Sequence, residues 1–392
     1  MTGSPAIDWA AVRRVLVVRL DNIGDVVLLG PALRTLRANL PQARQTLLCS
    51  PVGAQVAPLL PWVDDVVVRR VVWQDASGTL PLDPDRELDL VSDLRAGAFD
   101  AAVIFTSFAQ SPFPPAYACY LAGIAVRVGQ STEFGGSLLS HPVPAAPYEA
   151  HQVERSLRLL EGVGLRRAGE ELELRVRPED LAAARSVLAR AGVPPATPYV
   201  MVAPGASCPS RRYEAGRFAS AVKLLARHLP VVVVGSAKER ELAARISAGI
   251  PGAVTLAGQT DLPALAGITQ GAALVVTNNS ASMHLADALR RPLVVLFAGT
   301  ELESQFAPCS TPSRLLRRPT DCSPCHAFVC PYVRGRPTSP PGPVQDRDEG
   351  RTHLHAGEWG GPPCLDVSPT EVANAAFELL AGVKSERSES SR

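Results

Sequence analysis

Short apolar runs of strand length alternate with helical patterns along almost the whole chain, and this alternation constrains the fold most. The runs lie at residues 14–19, 46–49, 101–105, 199–203, 230–234, 274–277 and 293–297. An apolar strand that is followed by a helix is typical of a parallel sheet with helices on both faces. We therefore predict an α/β protein that is built from parallel sheets.

The chain has 392 residues, which is more than one hydrophobic core usually organises, and two domains are expected. We predict an N-terminal domain over residues 1–175 and a C-terminal domain over residues 176–383. An irregular excursion rich in Pro, Gly and Cys interrupts the second domain at residues 320–364. A disordered polar tail is expected over residues 384–392.

The composition and the missing motifs exclude several classes of function. Lys and Arg total 39 and Asp and Glu total 38, so the charge gives no argument for a nucleic-acid partner. The N-terminus lacks the residue order of a signal peptide, and no apolar run approaches the roughly 20 residues of a membrane span. Neither a G-x-G-x-x-G motif after a strand nor a P-loop motif occurs, which disfavours a dehydrogenase or a P-loop enzyme.

The segment after the first predicted strand, RLDNIGDV, carries two carboxylates. Gly24 permits a tight turn, and Asp25 stands where the next helix begins. An Asp at this position is often only a helix cap, which is worth about 1 kcal/mol. Alternatively it accepts a proton from a bound hydroxyl, because α/β sheets bind ligands at the carboxyl ends of their strands. Asp25 is the candidate base, and Asp21 is a second candidate on the same loop.

Two strand–loop–helix segments in the second half carry further candidates. A small-residue loop, APGAS, follows the strand at 199–203, and Arg211 comes before the next helix. A guanidinium can neutralise a phosphate through two parallel hydrogen bonds, whereas a solvated surface arginine is the alternative. Glu239 follows the strand at 230–234 and is a candidate for binding a ribose diol, or else for a favourable interaction with a helix N-terminus.

Residues 274–300 have the pattern of a strand, a polar turn, a helix and a strand, with Asn279 and Ser280 in the turn. The first N–H groups of the helix, from Ala281 onwards, can hold an anion, because a helix N-terminus after a buried strand is a typical phosphate site. We therefore predict that this turn binds a diphosphate. His284 lies one turn into the helix and is assigned a supporting position behind the site.

Four of the eight cysteines cluster late in the chain, at Cys322, Cys325, Cys330 and Cys364. Four thiolates can bind zinc tetrahedrally, but this spacing is not that of two regular C-x2-C pairs. We predict no metal site, with a zinc site, a transient disulfide or simply clustered thiols as the alternatives.

Several segments together resemble glycosyltransferase family 9, the ADP-heptose:lipopolysaccharide heptosyltransferases. The segment RVLVVRLDNIGDVVLLGPALRTLRANLP resembles the N-terminal signature of that family, and APGASCPSRRYEAGRFA resembles the start of its second domain. The segment LAGQTDLPALAGITQGAALVVTNNSASMHLADAL resembles its donor loop, and the cysteine cluster with CLDVSPTEV resembles the C-terminal part of many members. The resemblance extends from Arg14 to Val383.

The resemblance implies a GT-B fold, in which two Rossmann-like α/β domains have parallel sheets that face a central cleft. It implies an N-terminal acceptor-binding domain, a C-terminal domain that binds a nucleotide-sugar donor, and inverting sugar transfer. The implied donor substrate is a nucleotide diphosphate sugar, typically ADP-heptose, and no metal or other cofactor is required.

The functional residues of the family fall on identifiable positions of this chain. The catalytic aspartate falls on Asp25, on the acceptor-side loop with Gly24 and Asp21. The phosphate-binding lysine of the family falls on Arg211, and its ribose-binding glutamate falls on Glu239. The donor loop falls on Asn279-Ser280-Ala281, and the histidine that follows it falls on His284. The donor loop departs from the family pattern Asp-Thr/Ser-Gly, because Asn carries no charge and the Cβ of Ala restricts the backbone.

The resemblance therefore implies transfer of heptose from ADP-heptose to a hydroxyl of a glycan, such as a lipopolysaccharide core or another cell-surface saccharide. The alternatives are a non-catalytic nucleotide-sugar-binding protein, a sugar-nucleotide epimerase or hydrolase, and a transferase acting on a small natural product. We expect a monomer in the cytoplasm or at the inner face of the cytoplasmic membrane, without a nucleic-acid partner or a transmembrane segment.

Overall fold

The structure is a computed structural model that describes residues 6–75, 78–108, 110–333 and 360–389, with side chains up to residue 382. The chain divides into two compact units, Met1–Arg175 and Val176–Arg392. Each unit is built around one six-stranded sheet, and the paired strands of both sheets are parallel. These sheets confirm the predicted α/β class. Much of the predicted excursion, residues 334–359, lies outside the described residues.

The first unit has the strand order β3-β2-β1-β4-β5-β6. Its strands are β1 (Arg14–Arg19), β2 (Arg44–Cys49), β3 (Asp65–Val68), β4 (Ala101–Ile104), β5 (Val126–Gln130) and β6 (His141–Val143). Its α-helices are α1 (Ile23–Val27), α2 (Gly30–Asn39), α3 (Pro84–Ala96), α4 (Phe113–Leu121) and α5 (Gln152–Glu161).

The second unit has the strand order β12-β11-β10-β7-β8-β9. Its strands are β7 (Val200–Ala203), β8 (Val231–Val233), β9 (Ala253–Thr255), β10 (Leu274–Asn278), β11 (Leu293–Leu296) and β12 (Ser313–Leu316). Its α-helices are α6 (Pro178–Arg190), α7 (Ala215–Leu225), α8 (Arg240–Ser247), α9 (Leu262–Gly271), α10 (Ala281–Ala288), α11 (Glu303–Phe306) and α12 (Pro369–Glu389).

The central strands are apolar on both faces because helices cover both sides of each sheet. In β7, Val200 and Val202 pack into one hydrophobic cluster, while Met201 and Ala203 pack into a second cluster on the opposite face. Every residue of β7 is buried, so the strand reads as a continuous apolar run without alternation. This burial explains why these strands were recognisable from the sequence.

The two sheets have the same strand order when the strands are numbered within each unit. In each sheet the direction in which successive strands are added reverses once, between β1 and β4 in the first sheet and between β7 and β10 in the second. Ligands of open α/β sheets bind beyond the carboxyl ends of the strands at such a reversal. The loop after β1 carries Asp21 and Asp25, and the segment after β10 carries Asn279 and Ser280. The fold therefore places Asp21 and Asp25 at the switch point of the first unit, and Asn279 and Ser280 at that of the second.

Three short strands at sheet edges, β6, β9 and β12, were not predicted from the sequence. They contain three or four residues and are mostly half-buried or exposed. Pro142 lies within β6, a position that an edge strand tolerates because one side of it needs no ladder hydrogen bonds. Such strands carry too little apolar pattern to be recognised without their neighbours.

Two expectations are corrected by the structure. Gly24 was expected in a tight turn, but it lies buried inside α1 with a helical backbone, and the chain then restarts as α2. The restart has Pro31 in its first turn, where the missing N–H is tolerated. The tail was expected to be disordered from residue 384, whereas α12 continues to Glu389.

Among the described residues, no helix is long and apolar enough to cross a bilayer.

Candidate functional site

The carboxylate of Asp25 is held by neighbours from three segments of the first unit. Asp25 is the third residue of α1 and accepts a hydrogen bond from the backbone N–H of Asn22 at 3.3 Å, so Asn22 is the helix cap. Its Oδ1 accepts from Nη2 of Arg19 at 3.1 Å and from the hydroxyl of Ser107 at 3.1 Å. Its side chain remains 19% exposed. A fixed and partly exposed carboxylate is suited to accept a proton.

Arg19, the last residue of β1, connects the two candidate carboxylates. It is only 1% exposed, and its Nε lies 3.0 Å from Oδ2 of Asp21. Its Nη2 also donates to the hydroxyl of Ser107 at 2.8 Å. Arg19 was not predicted as a site residue, although one signal was present: a charged residue stands between an apolar strand and an acidic loop.

Asp21 is more deeply buried than Asp25 and its oxygens are occupied. Oδ1 accepts from the side-chain amides of Gln110 at 2.6 Å and Gln74 at 3.0 Å, and Oδ2 faces Arg19. Burial raises the pKa of Asp21 above its ordinary value, although the guanidinium of Arg19 opposes the shift. Asp25 is therefore the more accessible of the two carboxylates.

In the second unit, Asn278 ties the loop after β7 to the end of β10. Its side chain is fully buried, Oδ1 accepts from the backbone N–H of Tyr213 at 3.1 Å, and Nδ2 donates to the carbonyl of Pro204 at 2.7 Å. The hydroxyl of Thr277 donates to the carbonyl of Ala203 at 3.2 Å. Asn278 thus has a structural role at the switch point, since its polar atoms are satisfied by protein groups.

The predicted diphosphate turn leads directly into α10, which begins at Ala281 with Ser280 as its cap residue. The Ser280 hydroxyl makes no capping hydrogen bond and instead lies 3.3 Å from Oγ1 of Thr277. Ser280 and Ala281 are both partly exposed. The first N–H groups of a helix have no acceptor within the helix, so this end of α10 can receive an anion.

Asn279 lies deeper than its neighbours in the turn. Its side chain is 3% exposed, and its Oδ1 accepts from the backbone N–H of Ala298 at 3.1 Å. Within the described part of the chain, its buried Nδ2 has no hydrogen-bond partner. Oδ1 already accepts one hydrogen bond from the backbone, whereas Nδ2, which is a donor, has its hydrogen-bonding capacity unused.

His284 is buried within α10, with 6% of its surface exposed, and its ring centroid lies 6.5 Å from that of Phe306. This placement is behind the turn rather than at its surface. The supporting role of His284 stays a prediction.

Arg211 ends a short 3-10 turn after β7, and its guanidinium is shared between two residues that follow β11. Nε donates to the hydroxyl of Thr300 at 3.0 Å, and Nη2 is paired with the carboxylate of Glu301. The side chains of Arg211 and Glu301 are 23% and 17% exposed. The predicted phosphate ligand is therefore held beside a carboxylate, and a bound phosphate would compete with Glu301 for it.

Glu239 occupies a turn after β8 and lies against Gly205. Its Oε2 accepts from the N–H and the hydroxyl of Ser236, at 2.7 and 2.9 Å, in a capping box. A Cβ at position 205 would lie 1.9 Å from Oε1 of Glu239. A residue without a side chain is therefore needed at position 205 for the carboxylate to take this position.

The loop with the cysteine cluster packs behind the segment that holds Arg211. The N–H of Cys325 donates to the carbonyl of Gly299 at 3.0 Å, and the N–H of His326 donates to that of Thr300 at 3.1 Å. A hydrogen bond from Cys325 lowers the pKa of Cys322 to about 6, and the same contact raises the pKa of Cys325. In the described ranges, no group of three or more His, Cys, Asp or Glu residues is arranged to hold a metal ion. The zinc alternative gains no support from this geometry.

The structure thus gathers the predicted residues into two sets. The first unit brings Asp21 and Asp25 together around Arg19, and the second brings Arg211, Glu239 and the turn at 279–281 to the carboxyl edge of its sheet. Seven residues that hold these groups were not assigned to the site from the sequence; they are Arg19, Gln74, Ser107, Gln110, Gly205, Thr300 and Glu301. Most of them lie far in sequence from the group that they contact, whereas Arg19 is close in sequence to both aspartates.

Comparison with known proteins places the chain among sugar-transfer enzymes. Residues 88–334 match the family model described as glycosyltransferase family 9 (heptosyltransferase). Lipopolysaccharide heptosyltransferase 2 of Escherichia coli (strain K12) is 26% identical over 317 residues, which cover 78% of this chain and 88% of that protein.

Several solved structures resemble this one, including two from Escherichia coli. The structure of Escherichia coli ADP-heptose lps heptosyltransferase II has a TM-score of 0.71 at 23% identity and covers 95% of this chain and 99% of its own. Escherichia coli heptosyltransferase WaaC, solved with ADP-2-deoxy-2-fluoro heptose, has a TM-score of 0.59 at 19% identity and covers 78% and 93%. These likenesses confirm the predicted GT-B fold class.

Proposed function

This chain belongs to glycosyltransferase family 9, and on that premise we propose that it is an inverting transferase that moves a sugar from a nucleotide diphosphate to a hydroxyl of a glycan. The environment of Asp25 is the observation that carries the proposal. Its carboxylate is oriented by Arg19 and Ser107 at the switch point of the first sheet, and part of it stays exposed. That combination suits a general base.

In the proposed reaction, Asp25 takes the proton of an acceptor hydroxyl. The oxygen forms a bond to the anomeric carbon of the donor from the face opposite the diphosphate. The bond between that carbon and the diphosphate oxygen breaks, and the electron pair leaves with the diphosphate. The anomeric configuration is therefore inverted, and no covalent enzyme intermediate forms.

The leaving diphosphate gains negative charge as the bond breaks, and the second unit supplies groups to stabilise it. We assign this role to Arg211, Ser280 and the first N–H groups of α10, from Ala281 onwards. Preorganised donors of this kind are worth about 3–4 kcal/mol each in a transition state. Glu239 is assigned to the ribose diol, because its Oε1 is free of the capping box that engages Oε2.

The donor that we propose is ADP-heptose, with a lipopolysaccharide core or another cell-surface saccharide as acceptor. The names of two similar proteins, a lipopolysaccharide heptosyltransferase and an ADP-heptose lps heptosyltransferase, support this choice. Asn279 and Ala281 are assigned to the donor-sugar side of the site, where they depart from the family pattern. The reaction as proposed uses no metal and takes place in the cytoplasm or at the inner face of the cytoplasmic membrane.

The test is the release of ADP from ADP-heptose in the presence of deacylated lipopolysaccharide core acceptors. Asp25→Asn should lower turnover by at least about 100-fold, because it removes the base. Binding of ADP, measured by calorimetry, should stay within about twofold of the unchanged chain.

Asp65→Asn serves as the matched control. Asp65 also pairs with an arginine, Arg44. It is the first residue of β3, so it lies at the amino-terminal ends of the strands, whereas Asp25 follows the carboxyl end of β1. Near-normal turnover in Asp25→Asn would reject the assigned base. ADP binding without any transfer in the unchanged chain would favour the non-catalytic binding protein instead.

A further inference from the structure

A groove of about 960 Å³ lies at the amino ends of the strands in the second sheet. Four of its lining residues each come directly before a strand: Tyr199 before β7, Ala273 before β10, Pro292 before β11 and Pro312 before β12. Because these strands are parallel, the groove is at the edge of the sheet opposite to the turn at 279–281. About 20 Å of chain separates the two edges, at about 3.3 Å per residue. The groove is therefore separate from the proposed donor site.

Apolar side chains form most of the lining of this groove. They include leucines of α6 and α12 and five prolines, which are Pro194, Pro195, Pro198, Pro292 and Pro312. The rings of His228 and Phe377 add an aromatic part, with their centroids 4.7 Å apart. Proline has a fixed φ and no backbone N–H, so this wall is rigid and offers few hydrogen-bond donors. It suits the apolar part of a ligand.

Three arginines give the groove its charge: Arg185, Arg290 and Arg291. Among the described residues that line the groove, none is Asp or Glu. Arg185 is exposed on α6, and no other described residue is hydrogen-bonded or ion-paired with its guanidinium. Arg290 and Arg291 donate to backbone carbonyls, those of Ser310 and Leu289. A concave surface with cations and no carboxylate in its lining attracts anions.

One buried carboxylate offsets part of this charge. Asp287 is 1% exposed and accepts from the backbone N–H groups of the segment 309–310, both at 2.8 Å. It is also close enough to Arg290 for their charges to attract. Arg290 is thus partly neutralised, and the recognition of an anion depends mainly on Arg185 and Arg291.

We propose that this groove binds an anionic amphiphile, a molecule with a phosphate or carboxylate head and an apolar body. The head contacts Arg185 and Arg291, because a guanidinium can form two parallel hydrogen bonds with either anion. The apolar body lies along the prolines and the leucines. The volume is within the range of about 300–1,000 Å³ that is typical of ligand sites. This inference goes beyond the proposed function, which assigns neither donor nor acceptor to this edge of the sheet.

The first experiment measures the binding of n-decyl phosphate to the full chain by calorimetry, below the critical micelle concentration of the probe. Saturable binding of one molecule per chain is expected. n-Decyl maltoside has the same tail with a neutral head, and inorganic phosphate has no tail. Each should bind at least about tenfold more weakly, because each lacks one half of the recognition. Equal binding of the maltoside, or no saturable binding of n-decyl phosphate, would overturn the proposal.

Substitution of the arginines locates the bound molecule. Arg185→Gln should lower the affinity for n-decyl phosphate about fivefold, and its combination with Arg291→Gln should lower it at least about tenfold. Arg185→Gln should fold normally, because it leaves no described group unpaired. Arg190→Gln is the matched control, since Arg190 is also exposed on α6 but donates to the hydroxyl of Ser186 at 2.7 Å and does not line the groove. Unchanged affinity in both arginine variants would overturn the proposal.

Competition with ADP separates this inference from the proposed function. Saturating ADP should change the affinity for n-decyl phosphate by less than about twofold, because ADP is assigned to the carboxyl edge of the sheet. Displacement by ADP would place the alkyl phosphate in the donor site and overturn the inference alone. Absence of ADP binding and of sugar transfer, with alkyl phosphate binding that depends on Arg185, would reject the proposed function alone.

Vesicles distinguish the two sources of such a ligand. Sedimentation with phosphatidylglycerol vesicles that exceeds sedimentation with phosphatidylcholine vesicles, and that is weakened by Arg185→Gln, would identify a membrane lipid. Binding of n-decyl phosphate without sedimentation would identify a free amphiphile. Either result supports the groove as the site, whereas sedimentation that is equal in the unchanged chain and in both arginine variants would contradict a membrane lipid in the groove.

Discussion

Gly205 lies so close to the carboxylate of Glu239 that a Cβ at position 205 would stand 1.9 Å from Oε1. The contact joins the loop after β7 to the turn after β8, at the carboxyl edge of the second sheet. Glycine at this position is therefore explained by the space that a functional carboxylate needs. Backbone conformation is not the reason, since Gly205 is not among the described residues with positive φ.

Gly205→Ala should displace Glu239 and weaken the binding of ADP by at least about tenfold, the cost of losing a hydrogen bond to a charged group. The folded state should lose only about 1 kcal/mol, because the end of a flexible side chain can move and only the capping box is disturbed. Calorimetry with ADP and thermal unfolding would measure the two effects.

Gly361→Ala is the control for this substitution, because a Cβ there meets no atom of the described residues within 4 Å. When Gly205→Ala is combined with Glu239→Gln, the added methyl group should cost little further ADP affinity, because both substitutions act on the same carboxylate. Full additivity of the two losses would show that Gly205 acts by another route.

Glu301→Gln should strengthen the binding of ADP, by roughly threefold to tenfold, because Glu301 competes with the diphosphate for Arg211. Arg211→Gln should weaken it. The matched control is Glu303→Gln, which removes a neighbouring carboxylate paired with Arg317 at 3.3 Å. Weaker binding of ADP in Glu301→Gln would mean that the ion pair orients Arg211 for the ligand.

Cys322 should be the fastest thiol to react with iodoacetamide at pH 7, because its pKa is lowered to about 6 by the hydrogen bond from Cys325. Its rate should rise with pH around that value. Cys325→Ser keeps a donor, whereas Cys325→Ala removes it and should slow the reaction of Cys322.

Cys49 and Cys119 provide the internal comparison, since burial raises the pKa of each to about 12. Mass spectrometry of the alkylated chain would give the order of reaction. Joint protection of the clustered thiols by added Zn²⁺ would contradict the prediction that the cluster binds no metal.

Glu371→Gln should lower the stability of the chain at pH 7 by about 0.5 kcal/mol, a value reduced for solvent screening because the side chain is 42% exposed. Although partial burial opposes the shift, hydrogen bonds from Arg318 and Ser368 hold the pKa of Glu371 below its ordinary value. Because the pKa of Glu371 is lower in the folded chain than in the unfolded chain, its ionised carboxylate stabilises the fold at pH values above the unfolded-state pKa of 4.5. This stabilisation is lost as the pH falls through the pKa of the folded state.

The two unfolding curves should therefore differ at pH 7 and converge below pH 4.5. Gln retains the shape of the capping box at the start of α12, so the difference reports the charge. Glu378→Gln, on the same helix and 3.5 Å from Arg314, is the exposed control and should have a smaller effect. A difference that persists at low pH would show that lost hydrogen bonds account for it.

The sequence by itself determined the α/β class, the central strands and the positions of most helices. These features depend on local patterns: β1 and β10 are apolar runs, and α10 follows a polar turn that ends at Ser280. The edge strands β6, β9 and β12 escaped because their identity depends on pairing with a neighbour rather than on their own apolar pattern. The helical continuation to Glu389 escaped because its polar composition resembles that of a tail.

Only the tertiary structure decided which side chains meet. The sequence placed Asp25 and Arg211 after strands, but it could not show that Arg19 is buried between two carboxylates or that Arg211 is held by Glu301. Arg211 and Glu301 lie far apart in the chain and meet because parallel strands bring their carboxyl ends to one edge of a sheet whatever their order in sequence. Arg19 is close in sequence to Asp21 and Asp25, but its burial and its contact with Ser107 come from the tertiary structure. The residue types come from local sequence, whereas their charges, burial and partners come from the order of the strands.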